Sequence, residues 1–304
     1  MDRRDFLKKA MKGTVAAGVT AGLGKYGKIL EASPLVPYDL VAVKGGEPDV
    51  MFDMAMQSFG GMGQFVPKGS RVLVKPNIGW DVSPERAGNT NPVLVAQIVK
   101  HCLDAGAKEV SVFDHSCDHW VRCYKNSGIE KAVKDAGGRV VSGDSKSYYR
   151  EVSIAKGERL TEASVHELYL DSDVVINVPV LKHHSSTMVT IGMKNLMGVV
   201  WDRFHWHRND LHQCIADFAS FRKPDLTVVD AYNVMMRNGP RGVYVSDVAQ
   251  MKSLIVSPDP VAADTAAAML FGADPEDIRH IQIAHAMKIG TSNLKSLKID
   301  RIKL

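Results

Sequence analysis

The feature that most constrains this chain is a repeated alternation of short apolar runs with segments of helical period. The run Asp173–Val178 (DVVINV) lacks the in–out alternation of a half-exposed strand, so it reads as a strand covered on both faces. Arg71–Lys75 (RVLVK, stopped by Pro76), Glu109–Phe113, Arg139–Ser142, Leu226–Asp230 and Ser253–Val256 are further strand-like runs. Between them lie helical patterns over Asp49–Phe59, Pro92–Ala105, Ile129–Ala136, Leu211–Phe221, Pro260–Phe271 and Pro275–Met287, and a further candidate helix over Leu160–Leu170. Gly60-Gly61, Gly106 and Gly137-Gly138 close three of them. Residues 33–48, with Pro34, Pro37 and Pro48, read as a linker or edge strand. This order predicts an α/β fold: a mostly parallel, Rossmann-like sheet with helices on both faces. Ligands of such sheets bind in a cleft beyond the carboxyl ends of the strands.

At 304 residues and 45% apolar composition the chain can bury a large core. The expected organisation is a signal segment over 1–32 and a single α/β domain over 33–304, with two lobes meeting near 180–200 as the alternative. The net charge of +4 is small and no dense Lys/Arg run lies within the folded part, which argues against a nucleic-acid partner. Arg3-Arg4-Asp5-Phe6-Leu7-Lys8, followed by the mild apolar stretch Gly13–Gly24, is similar to a twin-arginine export signal. That stretch is too short to cross a hydrocarbon core of about 30 Å as a helix. The signal implies the export machinery as a partner and a periplasmic or other extracytoplasmic destination. Leu30-Glu31-Ala32 is a poor small-x-small cleavage site, so retention as an N-terminal membrane anchor stays open. A basic amphipathic helix is the plainer reading of the same residues.

Three strand ends carry chemistry. The first is Lys75-Pro76-Asn77 with the following Asn89-Thr90-Asn91-Pro92. Asn or Thr ahead of Pro is a helix-capping arrangement that also aims backbone amides at an anion, so Lys75, Asn77 and Thr90 are candidate ligand-binding residues. The second is Asp114-His115-Ser116-Cys117-Asp118-His119, dense in groups that bind metals or move protons. His115 is the candidate acid/base, and Cys117 and His119 are candidate metal ligands. The third is Lys182-His183-His184 after the run 173–178, then the hydroxyls of Ser185, Ser186, Thr187 and Thr190, then Lys194-Asn195. It predicts a functional site in a loop, with Lys182 and Asn195 as ligand-binding candidates. Beyond it His205, His207 and His212 form a further cluster, of a residue type that binds nickel, iron or zinc or moves protons. A lone histidine is usually structural, but seven of the eleven histidines fall in these clusters. Asp230 and the turn Asn238-Gly239-Pro240 are placed to reach the same cleft.

Other chemistries lack their motifs. No CxxC pair joins Cys102, Cys117, Cys123 and Cys214, which excludes a self-contained ferredoxin-type iron–sulfur module; Cys117–Cys123 is the disulfide an oxidising compartment would permit. Gly60-Gly61-Met62-Gly63 follows a helix and lacks dinucleotide spacing, and neither a phosphate-binding P-loop nor a G-x-S-x-G elbow is present. The fourteen methionines read as core filler.

VLVKPNIGW, NTNPVLV, VFDHS, VPVLKHHSSTMVTIGMKNLMG, DLHQCIADF, RNGPRG and SPDPVAADTAAAMLFG together resemble the domain-of-unknown-function family number 362, from about residue 38 to 290. Some of its members carry a ferredoxin-like module that this chain does not have. A more distant resemblance is to the nickel-pincer lactate racemases. It implies His115 and His184 as the two catalytic histidines, Lys194 as the lysine that holds the pincer cofactor, and a metal ligand among His205, His207 and His212. Two functions follow as expectations. One is an exported metal- or cofactor-dependent enzyme, of isomerase or oxidoreductase type, working on a small anion by proton transfer or redox. The other is a non-catalytic or electron-transfer accessory that serves a redox partner protein. A structural zinc site is the blandest alternative.

Overall fold

The computed structural model describes residues 37–304, so the export-type segment 1–32 lies outside the described residues. The apolar runs become β1 (Leu40–Lys44), β2 (Arg71–Pro76), β3 (Glu109–Val112), β4 (Arg139–Val140), β7 (Val174–Val178), β10 (Leu226–Met235), β11 (Val248–Ser257) and β12 (Ile299–Lys303). They form one sheet in the order β12-β1-β11-β10-β7-β2-β3-β4. Neighbours from β10 to β4 pair in parallel, and β11 runs against both β10 and β1. A hairpin of β5 (Tyr149–Ser153) and β6 (Glu162–His166) makes a second, two-stranded sheet. Among the described residues no helix is long and apolar enough to cross a membrane.

Side-chain alternation explains the two-faced core. Val72, Val74, Val174, Ile176 and Val178 join the cluster covered by the Pro48–Phe59, Pro92–Asp104 and Ile129–Asp135 helices. Leu73 and Val175 face the other way, toward the Leu211–Phe221 and Pro260–Phe271 helices. The same alternation puts Lys75 and Asn177, which are register partners across β2 and β7, on this second face at the strand ends. The chain leaves β2 for β3 and β4 on one side and returns to β7 and β10 on the other. The crevice outside β2 and β7 is therefore the switch point of the sheet, where open α/β folds bind ligands.

Four local expectations change. Residues 160–170 are not one helix: β6 pairs with β5, and only Glu167–Asp171 turns helical, because cross-strand pairing overrides the helical period. The stretch after Val178 is not a loop. Pro179 interrupts β7, and the chain resumes as β8 (Val180–His184), which pairs with β10 and with β9 (Met188–Thr190). β1 is no edge strand, since the unanticipated β12 flanks it. Residues 275–287 break at Ile278 into a single 3-10 turn and the helix Arg279–Ala286.

Thr90, expected to meet a ligand, instead fastens the switch point. It is buried; its hydroxyl accepts from Asn77 N–H (2.8 Å) and donates to Val178 C=O (2.7 Å), tying the ends of β2 and β7. Thr90→Val keeps the shape but strands both backbone groups. It should cost on the order of 2 kcal/mol, seen as a lower urea midpoint at unchanged m value.

Candidate functional site

The floor of the crevice is a buried polar network. Lys75 Nζ lies 2.8 Å from Asp114 Oδ1, with both side chains almost wholly buried. It also donates to Pro76 C=O (2.8 Å) and Asn195 Oδ1 (3.1 Å). Burial draws the Lys75 ammonium below its ordinary value, and the adjoining Asp114 carboxylate opposes that. Asn195 joins three elements: its Oδ1 also accepts from Asn77 Nδ2 (3.0 Å), and its Nδ2 donates to Asn177 Oδ1 (2.9 Å) and Lys75 C=O (3.2 Å). Asp114 Oδ2 accepts from Ile78 N–H (2.7 Å). Gly198 closes over this pair. A Cβ there would fall 1.8 Å from Asp114 Oδ1 and 2.6 Å from Lys75 Nζ, so only glycine fits.

Above the floor is a cavity of about 450 Å³. Lys182, on β8, is buried, and its Nζ reaches Asn77 Oδ1 (3.2 Å) and Gly88 C=O. Lys194 lies on the short helix Gly192–Asn195, held by the Asp264 carboxylate, which accepts from Gly192 N–H (2.7 Å) and Met193 N–H (3.0 Å). Burial pushes Asp264 up to about 7 despite these two donors. Lys194 is 8% exposed, and its Nζ has Met197 Sδ at 3.4 Å as its polar contact rather than an oxygen. Arg203 lines the cavity and donates to the carbonyls of His115 and Ser116. The one carboxylate lining the cavity among the described residues is Asp114, already matched by Lys75. Lys182, Lys194 and Arg203 therefore face the space without a free counter-charge.

That surplus shows in the titrating groups. Burial, with Lys194 and Lys75 nearby, pushes Lys182 down to about 7, against the pull of Cys117 and Asp114. Burial, with Arg203 adding to it and Cys117 opposing, brings Lys194 to about 8. His184 is pushed down to about 2 by burial first and by Lys194 and Lys182 next, so it is a neutral ring. Its Nδ1 accepts from Ser186 N–H (3.1 Å), which assigns the proton to Nε2. His184 is thus a hydrogen-bond donor to the cavity rather than a ready base.

The structure brings Asn77, Cys117, Lys182, His184, Lys194, Asn195 and His207 around one space, with Lys75 beneath it. It does not bring in His115. That ring stacks on Trp201 (centroids 5.0 Å) with Nδ1 at Val200 C=O (3.1 Å), while the preceding Asp114 lines the cavity. The three metal-ligand candidates diverge. His207 stacks near His184 (6.5 Å), His205 lines a separate cavity beside Asn209, and His212 pairs with His280 (Nδ1 to Nδ1 3.1 Å). His119 is exposed. Among the described residues no three His, Cys, Asp or Glu side chains are placed to share a metal ion. The described residues thus offer no ready three-residue ligand set for nickel, iron or zinc, and of His205, His207 and His212 only His207 shares the cavity with Lys194. Cys117 and Cys123 are free thiols, one exposed and one buried, rather than a disulfide. Asp230 turns to Asn91 and Tyr232 N–H groups and stays out of the cavity, whereas Pro240 lines it. Sequence reasoning placed Asp114 in the second strand-end cluster without a role of its own, and missed Asn177, Gly198, Arg203 and Asp264. Only Asn177 left a plain signal, as the single polar residue inside an otherwise apolar strand.

Fold and cleft together define an α/β protein with a cation-lined pocket at the switch point of a mostly parallel sheet. The chain belongs to the family described as domain of unknown function (DUF362), whose profile matches residues 72–269. It is similar to the thylakoid-associated protein sll1697 of Synechocystis sp., 29% identical over 231 residues, covering 73% of this chain and 70% of that protein. Among solved structures it is similar to the lactate racemase apoprotein from Thermoanaerobacterium thermosaccharolyticum, at 12% identity and TM-score 0.49 over 78% of this chain and 57% of that one. It is also similar to a Thermotoga maritima protein, at 15% identity and TM-score 0.49 over 75% and 60%. The chain thus spans less than two thirds of either solved protein.

Lys75→Met leaves the Asp114 charge buried and unmatched. It should cost about 3–5 kcal/mol of stability, read as a lower denaturant midpoint.

Proposed function

We propose that the cleft binds a small organic anion and that the protein is an enzyme acting on it by proton transfer. The observation that carries this reading is the set of three cationic side chains, Lys182, Lys194 and Arg203, facing one cavity whose only lining carboxylate among the described residues is already paired. An anion would supply the missing counter-charge beside the buried Lys182 and Lys194, where the attraction is stronger than in bulk water. Lys182 and His184 Nε2–H would hold it. Lys194, without an oxygen partner and able to release its proton near neutral pH, is the acid/base group. The twin-arginine-like motif Arg3-Arg4-Asp5-Phe6-Leu7-Lys8 supports export, and with it an activity outside the cytoplasm.

The sign of the pH dependence follows from the two depressed lysines. The unfolded chain keeps these protons up to the ordinary value of 10.5, whereas the folded chain sheds them through about 7 and about 8. Without ligand, the pair therefore disfavours the folded state as pH falls through that window. A bound anion reverses this, because it needs the charged amines; Cys117, Asp114, Arg203, His184 and His207 are the other charged or titratable groups lining the cavity among the described residues. Thermal stabilisation by a small hydroxy acid should accordingly be large at about pH 6 and fade by about pH 10, and Lys182→Met should raise its half-saturating concentration roughly tenfold. No stabilisation at the lower pH would remove the anion reading. Export has its own check: with Arg3→Lys and Arg4→Lys together the protein should stay in the cytoplasmic fraction, and unchanged secretion would discard that route.

A further inference from the structure

We propose that Lys194 is a nucleophile that forms an imine with a small 2-oxo carboxylate. The inference rests on the anion-cleft reading, names the substrate class of that site, and has Lys194 bond to the substrate in place of acting on it only as an acid/base.

Lys194 differs from its neighbours in what its amine touches. Lys75 Nζ has a carboxylate and two further oxygens, and Lys182 Nζ has two oxygens. Lys194 Nζ has a thioether. It is nonetheless more than nine-tenths buried, lines the cavity, and is fixed at its base by the Asp264 carboxylate through Gly192 and Met193. A lysine meant to neutralise structure would be given an oxygen acceptor. A lysine desolvated near other cations is the arrangement that yields a neutral, nucleophilic amine, and Lys182 and Arg203 line the same space. Burial first, and Arg203 next, pull it in that direction against Cys117.

The remaining donors indicate the anion. Lys182 has three N–H groups, two of which serve Asn77 and Gly88, and His184 has only Nε2–H left. Arg203 gives two of its five N–H groups to carbonyls and faces the cavity with its charge. The third Lys182 N–H and His184 Nε2–H can each meet one oxygen of a carboxylate, with the Arg203 charge beside them. Because anchor and nucleophile share a cavity of about 450 Å³, the carboxylate and the reacting carbonyl belong close together on one small molecule, as in a 2-oxo acid.

The step balances without an oxidant or reductant. The Lys194 ammonium releases a proton, and the amine attacks the carbonyl carbon, forming C–N while the π pair moves to oxygen. That oxygen takes up two protons in all and leaves as water, one from the original ammonium and one from the attacking nitrogen. The product is a protonated imine, so ammonium and ketone give iminium and water with no net proton change.

The test treats the whole folded protein with 2-oxobutanoate and cyanoborohydride, which reduces the iminium to a stable amine, followed by peptide mapping. The expected result is one adduct, at Lys194, abolished in Lys194→Met, suppressed by excess 2-hydroxybutanoate, and requiring roughly tenfold more oxo acid in Lys182→Met. Far-ultraviolet circular dichroism and the thermal midpoint check that each variant is folded, and the wild-type map stands without them. Labelling of Lys194 no greater than that of exposed lysines overturns the imine. If 2-hydroxybutanoate still stabilises the protein at about pH 6 in that case, the anion cleft survives and only the imine falls; if it does not, both fall.

Discussion

The site depends on one buried interaction, the Lys75–Asp114 pair across the ends of β2 and β3. Removing two charges from water is costly, and the pair is tolerable because every neighbour adds a partner: Asn195 and Pro76 to the ammonium, Ile78 N–H to the carboxylate. Such a pair contributes little net stability. Its effect is to set where things go. It holds the ends of two strands at a fixed spacing, and through Asn195 it anchors the helix that carries Lys194.

This explains why glycine stands at 198. The chain crosses directly above the ion pair, and His115 N–H donates to Gly198 C=O at 2.9 Å, so the backbone takes the place a side chain would fill. The crossing seals the pair from water from above. It leaves the cavity with the charges of Lys182, Lys194 and Arg203, while its one lining carboxylate among the described residues, Asp114, is already matched by Lys75. The cationic character of the cleft is therefore a consequence of how its floor is neutralised.

The histidine clusters are reassigned by the same packing. His183 Nδ1 accepts from Gly239 N–H (3.1 Å) and fastens the turn at Pro240 to the cavity rim, with His183 C=O too close to Gly239 for any side chain there. His115 and His212 are absorbed by stacking partners. Of the histidines whose sequence positions suggested chemistry, His184 and His207 alone line the cavity.

What the sequence by itself determined is the architecture and the neighbourhood. Apolar runs of strand length alternating with helical periods lead to a mostly parallel sheet because both patterns are local. Polar residues directly after those runs lie near the cleft because strand ends are where such sheets open. Lys75, Asn77, Lys182, His184, Lys194 and Asn195 were legible on that ground. Convergence was decided only by the tertiary structure. Lys75 meets Asn195 across 120 positions, and Asn77 meets Asn195 across 118, so their contact depends on strand order and register. No local pattern encodes those. The divergence of His205, His207 and His212, the isolation of Lys194 from any oxygen and the hidden role of Asn177 follow from the same non-local placement, which fixes what each side chain can reach.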